Sequence, residues 1–289
     1  MKEFRSMSGA NTLTIEQVIS AARQIPSLSV LVMEILASFD KKDVNFTDLV
    51  RKIGRDQGLT ARVLQVANSP FYGNSGKIGS IKGAVVVLGF HNVRSLVAAA
   101  GLINQFPISE IPSSFDRLSF WHHNIGVAVC AHHLAKISGR DESLAFTAGL
   151  LHDVGKLVLD AYFNKNFAAV RACCAADDVT MVMAERAELG LDHAQIGYEL
   201  TRRWRFPAPI QKAIRDHHNP EYEPNSLTDL VHVANVLSHM LDFDDRNSDL
   251  MPSLSVAAWT RLDMDHDMLP IQMAEIERQY ASMKLLAQE

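Results

Sequence analysis

Nowhere in this chain do apolar and polar residues alternate over the length of a strand; apolar side chains recur instead every three or four positions. That spacing lines one face of a helix, so segment after segment reads as helical and the fold class is all-α. Thr14-Ile15-Glu16-Gln17 is a capping-box pattern that opens a helix to about Gln24. Further helices are expected from Leu28 to Phe39, from a Thr47 cap through Ile53, and from Leu59 to Asn68 with Leu59, Val63, Val66 and Ala67 on one face. Ile81 to Leu88 and Val93 to Ile103 are apolar enough to be buried helices. Ser69 to Ser80 carries three glycines and a proline and reads as a loop. At its start, Asn68 to Gly73 is open to two readings, a partner-binding loop or a clasp seating Phe71 and Tyr72, and the clasp is the stronger.

Phe106 to Ser114, with two prolines and several small polar residues, divides the chain. The expected architecture is a two-part helical bundle: an N-terminal helical subdomain over 12–105, a second bundle over 115–242, and a helical tail over 250–289 packed on the second part. The second part opens with a long helix, about Phe115 to Ser138. Asp141 caps the next helix, which is expected to run on through His152-Asp153. Helices near 163–176, 180–189, from Asp192 onward, 208–217 and 227–241 follow. The tail is expected to be helical over Leu254 to Arg261 and Pro270 to Leu286, with the acidic stretch Asp242 to Asp249 before it as a mobile connector.

Composition excludes several classes. A net charge of -5 gives no general basic footprint for nucleic acid, and Arg51, Lys52, Arg55 and Arg62 read as a solvated helix face. Three cysteines make neither a disulfide framework nor a C-x-x-C pair, which suits a reducing cytoplasm. No apolar run approaches the roughly 18 residues that a membrane helix needs. The longest, Ile81 to Ile103, is interrupted by Lys82, His91, Asn92 and Arg94. Met1 to Asn11 has no hydrophobic signal core. A soluble, cytoplasmic protein without membrane or nucleic-acid partners is expected.

Chemistry concentrates in Gly149-Leu150-Leu151-His152-Asp153-Val154-Gly155-Lys156-Leu157, where a His-Asp pair and a lysine interrupt an apolar run. Burying a carboxylate costs several kcal/mol unless it is paired or bound to a metal. Taken alone, the pair is best read as a hydrogen bond tying two helices. Its company alters that. The chain has 12 histidines, all but His91 at or beyond position 122. His123, His152, Asp153, His193, His217 and His218 fall on four or five different helices, as in metal sites built between facing helices. Neutral imidazoles with a carboxylate suit Fe, Mn or Zn, and Lys156, one turn beyond His152, can neutralise a phosphate. Each member also has a plainer explanation. Only one of His122 and His123 can face inward, His132 and His133 read as surface residues, and His193 can sit half exposed at a helix start. His217-His218 suits a helix C-terminus by charge alone.

The pair with Gly155-Lys156 resembles the signature of the HD superfamily of metal-dependent phosphohydrolases, and the chain from about Pro26 to Pro220 resembles the HD-related output domain, HDOD. The marks are Ile25-Pro26-Ser27-Leu28, Asp56-Gln57-Gly58-Leu59-Thr60-Ala61-Arg62 leading to Ala67-Asn68-Ser69-Pro70-Phe71-Tyr72-Gly73, Ser80-Ile81 and Leu88-Gly89. They continue with Trp121-His122-His123, Leu150 to Leu157, Glu185, Gly190, His193 with Gly197, Trp204 to Pro207, and His217-His218-Asn219-Pro220. The resemblance implies a first histidine at His123, with His122 the near alternative, the pair at His152 and Asp153, and a late aspartate in Val231 to Leu237. Asn235 stands there instead, a weaker cation ligand. His193, His217 and His218 resemble the additional histidines of the related cyclic-di-GMP phosphodiesterases, whose Gly-Tyr-Pro is absent after His218.

Two functions follow from the resemblance. The first is a signal-transduction output module with a partly degenerate metal site, acting by binding a protein partner, a metal or a nucleotide. The second is a metal-dependent phosphohydrolase acting on a nucleotide or cyclic dinucleotide. In it Asp153 and Lys156 would be catalytic, and His123, His152, Asp153, His193, His217 and His218 would hold metal. The first is the expectation, with weak or absent turnover.

Overall fold

The structure, a computed structural model, describes residues 12–25, 29–38, 46–68, 77–103, 115–243, 250–264, 267 and 269–284. Among them there is no strand. The first part holds α1 (Ile15–Gln24), α2 (Val30–Ala37), α3 (Phe46–Ile53), α4 (Gln57–Ala67), α5 (Ile81–Leu88) and α6 (Phe90–Ile103). The second holds α7 (Arg117–Ile137), α8 (Glu142–Leu151), α9 (Val154–Tyr162), α10 (Asn164–Asp177), α11 (Met181–Leu189), α12 (His193–Arg203), α13 (Ala208–Asp216) and α14 (Ser226–Met240). The tail forms α15 (Val256–Arg261) and α16 (Leu269–Met283).

The helix starts are set by local chemistry. Thr14 and Gln17 make the reciprocal capping box that the sequence predicts. Asp56, Ser80, Asp116, Asp141, Thr180, Asp192, Asn225 and Ser255 each accept an amide at the start of α4, α5, α7, α8, α11, α12, α14 and α15. One expectation fails here: α3 begins at Phe46, so Thr47 lies inside that helix and not at its cap. The Asn68 side chain donates to the carbonyls of Leu64 and Ile78 and accepts the Ile78 amide, tying together the two ends of the following loop. Phe71 and Tyr72, the whole 106–114 divide and residues 244–249 of the 242–249 stretch lie outside the described residues.

Helix α7 is the axis of the second part. It is buried along nearly its whole length, from Phe120 to Ala135, between α8, α14 and α16. A helix that is apolar all round must lie inside a bundle. Gly149 lets α8 lie directly on it, since a β-carbon there would come within 2.9 Å of the Ala128 Cα and the Val127 carbonyl. His132 and His133 are therefore not at the surface, contrary to expectation. α16 covers His133, with its Gln272 and Gln279 lying 2.8 and 2.5 Å from the two ring nitrogens, and His132 Nε2 lies 3.4 Å from Glu142 at the start of α8. The first helix of the chain also reaches the second part: α1 packs on α12 and α9, and the Leu13 amide donates to the Leu189 carbonyl.

Candidate metal centre

The apolar run around His152-Asp153 is two helices, not one. α8 ends at Leu151 and α9 starts at Val154, so the His-Asp pair occupies the turn between them. Asp153 holds the N-cap position of α9, yet its carboxylate makes no capping bond. Forgoing a cap costs about 1 kcal/mol. Here the carboxylate instead enters a cluster of imidazoles.

That cluster depends on a close helix crossing. A β-carbon on Gly155 would stand 2.0 Å from the His193 carbonyl oxygen and 2.9 Å from the Gly197 amide nitrogen. Only glycine lets α9 and α12 approach this far, and the approach brings His193 to Asp153. The Nε2 atom of His193 lies 2.9 Å from Asp153 Oδ1. His217 Nε2 lies 3.6 Å from the same oxygen, and His218 Nε2 lies 2.9 Å from His193 Nε2. The other carboxylate oxygen, Oδ2, faces His152 Nε2 at 3.5 Å, His123 Nε2 at 3.9 Å and Lys156 Nζ at 2.8 Å. Two donor groups result, Asp153 with His193, His217 and His218, and Asp153 with His123 and His152. In each, the ligand atoms lie within 4.8 Å of one another.

The ring orientations are fixed from behind. His152 Nδ1 sits 2.7 Å from the Gly149 carbonyl, and His217 Nδ1 sits 2.7 Å from the Ile214 carbonyl. Both are therefore Nδ1–H donors. Their Nε2 lone pairs point into the cluster, where neither Nε2 has a hydrogen-bond partner among the described residues. Glu185, fully buried, accepts both the His193 amide at 2.9 Å and its ring Nδ1–H at 2.6 Å. An outer acceptor that fixes tautomer and orientation is the usual support of a metal-ligating histidine. Buried, converging nitrogens around one carboxylate fit a divalent transition metal such as Fe, Mn or Zn.

Electrostatics agree with that donor set at Asp153, His152 and His123, whereas His193 would have to give up a proton to an ion. Burial alone would raise the Asp153 carboxyl, but His152, Lys156 and His193 hold it well below the usual carboxylate range. Burial pushes His152 down to about 3, with His217 adding to it against Asp153, and pushes His123 well below its ordinary value with His152 beside it. His193 goes the other way. Burial would lower it, but the carboxylates of Glu185 and Asp153 raise it to about 10.

A cavity of about 590 Å³ opens onto the cluster and is lined by His123, Asp153, Lys156, His193, His218 and Asn235 among others. The sequence-derived candidates thus come together, with His123 and not His122 inward, and His193 fully buried instead of half exposed. Asn235, on α14, is buried and its Oδ1 has no hydrogen-bond partner among the described residues. Three other neighbours carried no assigned role in the sequence: Glu185, His232 and His239, whose ring lies 4.8 Å from that of His123. Glu185 had a legible sign, being a carboxylate on the apolar stripe Val182, Glu185, Leu189 of α11.

An all-helical bundle with a buried histidine-aspartate cage between its helices defines the class: a protein of HD type. Its family follows from comparison. The HDOD domain matches residues 25–220, and the chain belongs to that family. Among solved structures it is similar to an HDOD domain protein of unknown function from Geobacter sulfurreducens, with a TM-score of 0.78, 25% identity, and coverage of 94% of this chain and 99% of that one. It is also similar to a protein named as a candidate phosphohydrolase from Shewanella amazonensis SB2B, with a TM-score of 0.74, 27% identity, and coverage of 93% and 97%. Ribonuclease Y of Thermus thermophilus is 32% identical over 138 residues, 48% of this chain and 19% of that protein. The chain spans less than half the length of the curated relatives it matches. Among the described residues no helix is long and apolar enough to cross a membrane.

Proposed function

We propose that the protein is an HDOD output module that acts by binding, holding a divalent transition metal in the Asp153 cluster and a phosphorylated ligand in the cavity beside it. The observation that carries this is the locked orientation of His152, His193 and His217. Each gives Nδ1–H to a fixed oxygen and turns Nε2 toward Asp153. His193, His217 and His218 would hold the ion with Asp153 Oδ1, and His123 and His152 flank Oδ2. A bound ion would polarise phosphoryl oxygens and make bound water more acidic. Lys156 balances the charge of Asp153 and sits on the cavity wall, where its ammonium can meet a phosphate.

A second reading, that the same site hydrolyses its ligand, is favoured by the intact support behind the ring nitrogens. A cluster kept only for packing has no need of such support. Asn235 argues the other way: the cavity holds a neutral amide where the resemblance implies a carboxylate. Ribonuclease Y and the Shewanella protein bear names of phosphoester chemistry, and both readings share that ligand class.

The test is to purify the protein without chelators, quantify Fe, Mn and Zn, and measure release of phosphate or nucleotide from a panel that includes cyclic-di-GMP. Bound metal without turnover is the expected result. Absence of metal, with no uptake of Mn2+, would sink the binding reading. Turnover lost in a folded Asp153→Ala variant would establish the second reading in its place.

A further inference from the structure

His232 lies on α14, three residues before Asn235, and is buried. Its two ring nitrogens are both engaged, and with different parts of the chain. Nδ1 sits 2.8 Å from the carbonyl oxygen of His217, so it carries the proton and donates. Nε2 accepts the Ser255 amide at 2.9 Å. One imidazole therefore grips the backbone of a cluster histidine on one side and the start of α15 on the other.

The second grip matters because of where the chain runs before Ser255. Leu250, Pro252 and Ser253 line the same cavity as Asp153, Lys156 and His232. Leu250 and Pro252, with Met181 and Val182 at the start of α11, give that cavity an apolar wall. At its Ser255 end, this strap of residues 250–255 is held by a short set of bonds. Besides His232, Ser255 Oγ donates to Glu221 at 2.7 Å, and Arg261 bridges Glu221 and Asp229 at 2.9 and 2.7 Å. Met181 and Val182 lie in the 25–220 stretch that defines the family, but Leu250, Pro252, Ser253 and the residues that hold them, from Glu221 to Arg261, lie beyond it, so one side of the wall is supplied by that later part of the chain.

We propose that His232 is a positioning residue that sets two parts of the site together: it holds the His217 backbone, and through it the direction of the His217 ring, and it holds the 250–255 strap that shapes the cavity next to the cluster. The inference rests on the reading of the cluster as a metal centre, and it adds the element that matches cavity shape to that centre. His217 Nδ1 is already tied to Ile214 within its own helix turn. His232 fixes the turn itself. A ligand with an apolar or planar group beside its phosphate is the class that such a wall accepts.

His232→Phe removes both bonds and keeps an aromatic ring of similar size. Ser255→Pro removes the amide donor, at a φ of -73° that suits proline, and with it the hydroxyl that caps α15 and bonds Glu221, so Ser255→Ala is the control for the lost hydroxyl. Two quantities are read in the full chain: Kd for Mn2+ alone, and amide hydrogen exchange over residues 250–258 by mass spectrometry. The expected result for His232→Phe is at least tenfold weaker Mn2+ binding, in line with the roughly 10–100-fold effects of outer-shell changes, together with at least tenfold faster exchange. Ser255→Pro is expected to speed exchange as much while leaving Mn2+ affinity within about twofold of Ser255→Ala. If His232→Phe does not fold, His232→Gln is read the same way. Folded His232 variants that bind Mn2+ like the wild type, or that leave 250–258 equally protected, would overturn the proposal. A wild-type chain that binds no Mn2+ overturns the metal centre itself, and the exchange measurement then judges the strap clamp on its own.

Discussion

Glu185 accepts two hydrogen bonds from the same residue, the backbone amide and the ring Nδ1–H of His193. One carboxylate on α11 thereby fixes both where α12 begins and which nitrogen of its first side chain faces Asp153. Glu185→Gln keeps the shape but removes the charge that makes Nε2 a strong donor. Mn2+ affinity is expected to fall roughly 10–100-fold, as for other outer acceptors of ligating histidines. Titration of Mn2+ into the chelator-treated protein checks this, and an unchanged Kd would show that His193 is not a ligand.

Much of this was readable in the sequence, and what was not has physical causes. Capping patterns at Thr14, Asp141 and Asp192 are local, so they gave helix starts directly. The break at His152-Asp153 was hidden because both flanking helices are apolar and no proline or glycine marks the turn. His133 looked exposed because its cover, α16, lies more than a hundred residues away in sequence. The cluster histidines could be gathered as a set, but not placed. Their meeting depends on the α9–α12 crossing, where Gly155 faces Gly197.

That crossing makes Gly155→Ala a severe substitution. The added methyl would fall 2.0 Å from a backbone oxygen, which no rotamer change can relieve, so α12 must move away from α9. Overpacking of this kind costs roughly 1–3 kcal/mol, occasionally more. Gly79→Ala, with nothing within 4 Å of the new methyl, serves as the comparison. Thermal unfolding is expected to show a clear loss for Gly155→Ala and little for Gly79→Ala. Mn2+ affinity should fall only in the former, because displacing His193 opens the donor group.

His132 gives a pH dependence far from the metal ligands. Burial, with His133 beside it, lowers it to about 4 from an ordinary value of 6.5. Between those two values the unfolded chain binds a proton that the folded chain refuses, so stability falls as the pH drops from 6.5 toward 4. The slope from this group approaches about 1.4 kcal/mol per pH unit. Urea unfolding across that window is expected to show His132→Gln losing less stability on acidification than the wild type. Parallel slopes for the two proteins would mean that His132 is protonated equally in both states.

Asn235→Asp tests the one position where the resemblance implies a carboxylate and the chain has an amide. Asn235 is buried on the cavity that holds His123 and Asp153, with its Oδ1 lacking a hydrogen-bond partner among the described residues. A carboxylate there adds a second negative charge to a buried site already occupied by Asp153, and a buried charge without full pairing is costly. The metal-free variant is therefore expected to melt below the wild type. With Mn2+ the order should reverse, because a stronger ligand raises the stabilisation gained from binding, and each tenfold in affinity adds about 1.4 kcal/mol under saturating metal. Melting curves with and without Mn2+ read both signs in one experiment. A variant destabilised equally in both conditions would place residue 235 outside the reach of the ion.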